Sequence, residues 1–281
     1  MRMADLSHRL ALAMGPEVEQ PNQSANGKTV LSLDRFDAVI FDMDGVVTDT
    51  AGVHARCWKH AFDDVLCAQS RRTGEAVRRF DDDDYLRYVD GKPRYDGVES
   101  FLSSRAITLE RGSPSDSPGY DTVCALGNLK DREFERVTAE EGVAVFESTL
   151  AFLRLLRSGH IGTALISSSR HARALLATAG ITDLFDTIVD GVDAEALDLP
   201  GKPDPAIFLT AARQLGVAVV RSIVVEDALA GVEAGHRGGF GLVIGIDRSS
   251  LADALRHHGA DLVVPDLAAL EFRLDLPRGS S

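Results

Sequence analysis

The sequence contains little cysteine, and its few cysteines form no recognisable pattern. There are three, Cys57, Cys67 and Cys124. An odd number with no CxxC pair and no histidine-paired spacing excludes a disulfide framework and argues against a cysteine-based metal site. We therefore expect reduced thiols in a cytoplasmic protein.

Positive charge is also scarce. The chain has 30 Lys and Arg residues against 43 Asp and Glu residues, which gives a formal net charge of −13. Such a surface repels nucleic acid and anionic lipid, so we expect neither a nucleic-acid partner nor a membrane partner. An anionic ligand would have to be bound by a local group of cations.

A long hydrophobic run is absent as well. The apolar segment 6–14 is interrupted by His8 and Arg9, and no long apolar run follows it, which favours a short amphipathic helix or a disordered leader over a signal peptide. Residues 15–28 are rich in Pro, Asn, Gln, Ser and Gly and show no apolar periodicity. We predict that residues 1–33 form a disordered leader and that the folded part begins at residue 34.

Short apolar runs that end in polar or small residues recur along the rest of the chain. The first is Ala38-Val39-Ile40-Phe41, which Asp42-Met43-Asp44-Gly45 follows. Such a run is typical of a buried strand. Further runs lie at 161–166, 188–189, 223–225 and 242–244, with helix-like stretches at 170–179, 205–215, 228–237 and 249–258. This alternation predicts an α/β fold with a Rossmann-like, doubly wound parallel sheet.

One long segment breaks the alternation. Residues 51–146 lack clear strands and contain helical candidates at 54–66, 83–88, 98–104 and 131–141. The acidic run 81–84 within it is interpreted as a solvated turn or a helix start. We therefore predict an inserted helical domain over residues 51–146 and a core domain formed by residues 34–50 and 147–281.

Polar side chains follow several of the predicted strands. In parallel sheets, ligands bind beyond the carboxyl ends of the strands, and Asp42, Asp44, Ser167, Glu226 and Asp227 all fall at this edge. Asp42 could attack a phosphorus atom while Asp44, two residues on, moves a proton. A DxDG sequence alone could equally be a calcium loop or a turn.

The remaining polar positions could bind a phosphate anion and a metal cation. The Ser167 hydroxyl can donate to a phosphate oxygen. Lys202 lies in the proline-rich turn 201–205, where its ammonium could be held near a phosphate, although a surface lysine would look the same. Glu226 and Asp227 are adjacent carboxylates after an apolar strand, for which Mg²⁺ is the natural compensating ion.

These four signals, in the order DxD, Ser, Lys-Pro and Glu-Asp, resemble the haloacid dehalogenase superfamily of phosphotransferases, and the resemblance covers nearly all residues after 34. It implies that Asp42 forms an aspartyl-phosphate and that Asp44 is the general acid and base. It also implies one Mg²⁺ per active site, held by Asp42, Asp44, Glu226 and Asp227, with Ser167 and Lys202 at the phosphate-binding positions.

The inserted segment is similar to the helical cap of the β-phosphoglucomutase-like subfamily. The similarity rests on Asp49-Thr50-Ala51-Gly52-Val53-His54 followed by Trp58, on Gly91-Lys92-Pro93-Arg94, and on Asn128-Leu129-Lys130. It implies that Arg94 grips the phosphate that is not transferred and that Lys130 contacts the sugar phosphate. The implied substrate-binding residues are Thr50, His54, Trp58, Gly91, Arg94 and Lys130 of the cap, with Ser168, Ser169 and Arg170 in the core loop that faces it.

The resemblance implies Mg²⁺-dependent phosphoryl transfer on a small phosphorylated sugar. The expected reaction converts β-glucose 1-phosphate to glucose 6-phosphate, with glucose 1,6-bisphosphate as a candidate activator. A sugar-phosphate phosphatase, for example one acting on trehalose 6-phosphate, would use the same core residues and stays open, as does, more remotely, a non-catalytic binding domain. Ala228, where the mutases commonly have serine, and a longer cap loop at 113–120 leave the sugar less defined. We expect a monomer.

Overall fold

The computed structural model describes residues 26–274, so most of the predicted leader lies outside the described residues. The strands are β1 (Thr29–Ser32), β2 (Ala38–Asp42), β3 (Gly162–Ile166), β4 (Thr187–Val189), β5 (Ser222–Glu226), β6 (Leu242–Ile246), β7 (Leu262–Val264) and β8 (Leu270–Arg273). The helices are α1 (Ala51–Thr73), α2 (Asp82–Tyr88), α3 (Arg94–Ser104), α4 (Val123–Glu141), α5 (Glu147–Ser158), α6 (Ala172–Thr178), α7 (Gly191–Ala196), α8 (Ala206–Leu215), α9 (Leu229–Arg237) and α10 (Ala252–His257).

Six strands form the main sheet in the order β4-β3-β2-β5-β6-β7, and every neighbouring pair is parallel. Every residue of β2, β5 and β6 is buried. Complete burial explains why the sequence of these strands is apolar throughout rather than alternating. The predicted Rossmann-like parallel sheet is confirmed.

Helices cover both faces of this sheet. Phe41 belongs to an apolar cluster that includes Phe152 of α5, whereas its neighbour Ile40 belongs to a second cluster with Phe208 of α8. Successive residues of a strand point to opposite faces, so adjacent positions of β2 fill different layers of the core. The doubly wound arrangement follows from this.

The ordered structure begins earlier than predicted. Strand β1 pairs in parallel with β8, and Thr29 lies opposite Leu270. The expected start of the folded part at residue 34 is therefore too late. The sequence of β1 is short and only half-buried, and its partner lies at the other end of the described chain, so no local pattern marks it.

The inserted helices α1 to α4 pack around an apolar cluster of their own, which contains Trp58, Phe62, Phe80, Phe101 and Leu126. The insertion is therefore a separate layer with its own core, as a helical cap requires. No helix within residues 26–274 is both long and apolar enough to cross a membrane.

The acidic run at the start of α2 differs in part from the prediction. Asp81 caps the helix in a reciprocal capping box with Asp84, which confirms the helix start. Asp84, however, is buried and pairs with Arg78 and Arg105, so this member of the run is not solvated.

The cap joins the core through two linkers that run side by side. The N–H of Asp49 donates to the carbonyl of Ala144 at 2.9 Å, and the N–H of Phe146 donates to the carbonyl of Val47 at 3.0 Å. Thr149 of α5 also donates its hydroxyl to the carbonyl of Val46 at 2.7 Å. The linkers are therefore tied to each other and to the core.

Candidate active site

A cavity lies between the carboxyl ends of the central strands and the cap. The core contributes Asp42, Asp44, Ser168, Ser169, Lys202, Asp227 and Ala228, and the cap contributes His54, Trp58, Tyr85, Val89, Asp90, Gly91, Lys92, Arg94, Lys130 and Asp131. The strand ends thus converge on one crevice, as the topology of a parallel sheet predicts.

A buried ion network lies at the core side of this cavity. The Lys202 Nζ atom lies 2.6 Å from Asp42 Oδ1 and 2.5 Å from Glu226 Oε1. Although burial disfavours its charged form, the two carboxylates hold the pKa of Lys202 above its ordinary value. The other oxygen of Glu226 accepts the N–H groups of Asp227 and Ala228 at 2.8 Å each. Both Glu226 oxygens are therefore engaged in fixing Lys202 and the turn after β5.

Asp44 is held by the start of α1. Its Oδ1 atom accepts a hydrogen bond from the Thr50 hydroxyl, and His54 Nε2 lies 3.3 Å from the same oxygen. Thr50 is itself hydrogen-bonded to Thr48 at 2.7 Å. Burial would raise the pKa of Asp44, but His54 and Thr50 outweigh it and lower the pKa to about 2. Asp44 is therefore ionised at neutral pH and oriented from the cap side.

His54 connects Asp44 to Lys130 of α4. The Lys130 ammonium lies 2.7 Å from His54 Nδ1. An ammonium can only donate, so His54 Nδ1 accepts from Lys130 and the ring carries its proton on Nε2, which lies 3.3 Å from Asp44. Burial and the charge of Lys130 also lower the pKa of His54. Burial also lowers the pKa of Lys130 to about 8. Its ammonium lies 5.2 Å from the ring of Trp58 and 4.6 Å from that of Phe134.

Arg94 links the cap to the core through a carboxylate. Its guanidinium lies 2.5 Å from Asp131 Oδ1 and donates to Asn128 Oδ1 at 3.2 Å. The same Asp131 oxygen lies 3.0 Å from His171 Nε2 in the core. Arg94 therefore lies at the cavity with its charge already matched by a neighbour.

Three carboxylates could hold a metal ion. One oxygen from each of Asp42, Glu226 and Asp227 lies within 4.8 Å of the others. Burial raises the pKa of Asp42 and Asp227 well above the ordinary value, and nearby carboxylates add to the effect. Negative charge thus exceeds positive charge here, and hard oxygen donors suit a divalent ion such as Mg²⁺. Both oxygens of Glu226 are engaged, whereas Asp42 pairs with Lys202 through one oxygen only, so Asp42 and Asp227 are the freer donors.

Gly45 allows Asp227 to approach the loop after β2. Its φ is +79°, and a Cβ atom there would lie 1.7 Å from Asp227 Oδ2. Any other residue would both strain the backbone and displace the carboxylate. The glycine of the DxDG sequence is therefore needed to bring Asp42, Glu226 and Asp227 together. We call these three carboxylates the acidic centre.

The structure brings most of the predicted site residues into the cavity and leaves four out of its lining, namely Thr50, Ser167, Arg170 and Glu226. Thr50 and Glu226 lie directly behind Asp44 and Lys202. Ser167 is fully buried, and its Oγ atom accepts the N–H of Ser169 at 3.0 Å. Arg170 instead pairs with Glu195 at 3.0 Å and lines a neighbouring cleft.

Sequence reasoning missed several lining residues, among them Tyr85, Asp90 and Asp131. Asp90 directly precedes the glycine of the cap loop, and Asp131 directly follows Lys130. This adjacency to predicted residues is the signal that could have identified the two carboxylates.

A Rossmann-like core, a helical cap inserted after its first core strand and an acidic centre between them define a capped phosphoryl-transfer enzyme. Residues 36–239 match the family model of haloacid dehalogenase-like hydrolases. The chain belongs to the haloacid dehalogenase-like hydrolase family and, within it, to the β-phosphoglucomutase-like group.

Individual relatives agree with this assignment. The chain is 44% identical to a β-phosphoglucomutase of Mycobacterium bovis over 256 residues, which are 89% of this chain and 98% of that one. A trehalose-phosphate phosphatase of Mycobacterium leprae is 37% identical over 131 residues, 45% of this chain and 29% of that one. The crystal structure of a β-phosphoglucomutase from Clostridium difficile superposes with a TM-score of 0.64 at 25% identity and covers 84% of this chain and 93% of that one.

Proposed function

We propose that this protein is a Mg²⁺-dependent mutase that converts β-glucose 1-phosphate to glucose 6-phosphate through an aspartyl-phosphate on Asp42. The observation that carries the proposal is the presence of two cationic ends in one cavity. Lys202 lies beside Asp42 in the core, and Arg94 and Lys130 lie in the cap. A bisphosphate intermediate has two phosphates to bind at once, whereas a phosphatase needs only one such end.

The chemistry divides between the two aspartates. An oxygen of Asp42 attacks the phosphorus, the bond from phosphorus to the sugar oxygen breaks, and that oxygen receives the proton that Asp44 took from a sugar hydroxyl in the preceding transfer. In the return step a sugar hydroxyl attacks the phosphorus on Asp42, its proton passes to Asp44, and the Asp42–phosphorus bond breaks. Asp44, with its pKa of about 2, is ready to accept the proton of the attacking hydroxyl. It then returns this proton in the next transfer, so the cycle is balanced.

The surrounding core residues support this transfer. Lys202, and in our proposal the Ser167 hydroxyl, neutralise charge on the transferring oxygens. When bound to Asp42, Asp227 and the backbone carbonyl of Asp44, Mg²⁺ would offset the charge between the phosphate and the carboxylates. Glucose 1,6-bisphosphate as an activator, a cytoplasmic location and a monomeric state remain part of the proposal.

A sugar-phosphate phosphatase is the second candidate, and one observation favours it. A neighbouring cleft lined by Pro93, Arg111 and other residues shares Arg94, Ser168 and Lys202 with the cavity. This cleft offers room for the second ring of a disaccharide phosphate such as trehalose 6-phosphate. Both candidates use the same core residues.

Phosphorus NMR separates the two. The protein is incubated with Mg²⁺, β-glucose 1-phosphate and a trace of glucose 1,6-bisphosphate, and separately with trehalose 6-phosphate. We expect glucose 6-phosphate to appear without an equal amount of inorganic phosphate. Release of free phosphate from either substrate, in step with its consumption, would overturn the mutase proposal and establish the phosphatase.

A further inference from the structure

Two cap residues that the proposed chemistry does not use face the acidic centre. Tyr85 of α2 and Asp90, in the loop that follows, line the same cavity as Asp42 and Asp227. The Tyr85 hydroxyl lies close enough to the Asp90 carboxylate to influence its pKa. Within residues 26–274, no cationic side chain forms an ion pair with Asp90. Its carboxylate therefore has one neutral partner and a free capacity to accept further hydrogen bonds.

The backbone holds this pair in place against the core. The N–H of Asp90 donates to the carbonyl of Tyr85 at 2.9 Å, and the Ser168 hydroxyl donates to the carbonyl of Gly91 at 3.1 Å. Gly91 has a φ of +71°, and a Cβ atom there would lie 3.0 Å from the Cβ of Ala228. The loop thus packs against the turn after β5, which holds Asp90 in the cavity that Asp42 and Asp227 also line.

The charges in the cavity determine what can lie beside Asp90. Four cations line the cavity, and none of them forms an ion pair with Asp90. Lys202 pairs with Asp42, Lys92 donates to the Ser100 hydroxyl at 2.9 Å, and Arg94 and Lys130 lie on helices α3 and α4. Burial raises the pKa of Asp90 to about 7, and the charge of Glu226 adds to the effect even though the Tyr85 hydroxyl opposes it. A phosphate group beside Asp90 would be repelled by its like charge. Neutral hydroxyl groups, which donate to carboxylate oxygens, would fit.

We infer that Asp90, oriented by Tyr85, binds hydroxyl groups of the sugar ring and determines which phosphosugar the enzyme accepts. The inference rests on the proposed phosphosugar substrate and holds for a mutase and a phosphatase alike. Hydrogen bonds from hydroxyls to a charged acceptor contribute about 1.5–3 kcal/mol each. Loss of one such bond corresponds to a change in kcat/KM of about 10- to 100-fold.

The test compares the wild type with Asp90→Ala, Asp90→Asn and Tyr85→Phe on β-glucose 1-phosphate and its 2-, 3- and 4-deoxy analogues. In the wild type we expect one or two of the analogues to lose about 10- to 100-fold in kcat/KM. In Asp90→Ala, the parent sugar should fall to the level of those analogues, so that the discrimination disappears. Tyr85→Phe should reduce the discrimination between the parent sugar and the analogues in part. Asp83→Ala, an exposed carboxylate on α2 paired with Arg87, is the control and should discriminate as the wild type does.

Two results would overturn the inference. One is that Asp90→Ala lowers kcat/KM by the same factor for the parent sugar phosphate and for all three analogues. The other is unchanged discrimination together with a higher half-saturating Mg²⁺ concentration, which would assign Asp90 to the metal site. If the wild type turns over none of these sugars, the proposed function fails instead. Calorimetric titration of Asp42→Asn, with and without Asp90→Asn, then measures the same discrimination in binding, and equal affinities for parent and analogues would refute the inference by itself.

Discussion

The two walls of the cavity are built differently. The core wall consists of Asp42, Lys202 and Asp227, with Glu226 directly behind Lys202. Three of these four residues lie at or directly after the ends of β2 and β5. Asp42, Lys202 and Glu226 are buried and joined by ion pairs, whereas Asp227 is half-buried. The cap wall consists of His54, Arg94, Lys130 and Asp131, which project from helices α1, α3 and α4.

This difference separates contacts that the sheet holds in place from contacts that a bound phosphate can displace. The core wall is held by a sheet whose register cannot shift without moving the whole core. The cap wall is held by pairs between side chains, Arg94 with Asp131 and Lys130 with His54. A bound phosphate must compete with these partners. In the proposed function, the core wall therefore carries out the chemistry and the cap wall selects the substrate.

The largest expected effect comes from Asp42→Asn in the core wall. Loss of the nucleophile should lower turnover of any phosphosugar by about 10⁴-fold or more. The amide is close to the carboxylate in size and Glu226 still pairs with Lys202, so the melting temperature should not fall strongly. A coupled assay and a thermal melt check both points. Substantial remaining turnover would refute the role of Asp42.

Lys202→Met tests the structural side of the core wall. It leaves two carboxylates buried without their cation, so we expect a loss of about 3–5 kcal/mol in the free energy of unfolding, together with loss of activity. Denaturant titration measures the stability. The double variant Lys202→Met/Glu226→Gln should recover part of it, because one unpaired charge is removed. A double variant no more stable than the single one would contradict this account of Glu226.

Arg94→Ala tests the cap wall. If Arg94 grips the phosphate that is not transferred, mutase kcat/KM should fall by about 10- to 100-fold, since hydrogen bonds to a charged group contribute about 1.5–3 kcal/mol. Phosphorus NMR measures the rate. Arg87→Ala, in which an exposed cap arginine is removed, is the matched control. Unchanged mutase activity in Arg94→Ala would refute the second phosphate site.

The smallest effect concerns pH. Lys130 has a pKa of about 8, below its ordinary 10.5, so its charge is lost as the pH rises through about 8. We therefore expect kcat/KM to fall above this pH, by a few-fold, because kcat/KM reports the free enzyme. Lys130→Arg stays charged and should lose this alkaline limb while the rest of the profile remains. An unchanged limb in Lys130→Arg would assign it to another group.

The core wall could be predicted from the sequence, and the cap wall only in part. Asp42, Asp44 and Asp227 follow apolar runs, and parallel strands bring their ends to one edge whatever else the chain does. The sequence could not show that Glu226 turns towards Lys202 while Asp227 faces the cavity, because the two are adjacent and chemically alike. For Asp90 and Asp131 the sequence offered only their adjacency to the predicted residues Gly91 and Lys130, and packing between the cap and the core is needed to show that they face the cavity.

The pairing of β1 with β8 has a mechanical consequence. The two strands run in parallel, so a pull on the chain before Thr29 and after Arg273 would slide them past each other along their length. Every hydrogen bond between them then carries the load together, rather than breaking one after another as in a zipper. The pair should therefore resist tension applied at either end of the described chain. This resistance would protect the strands that carry the candidate active site from that tension.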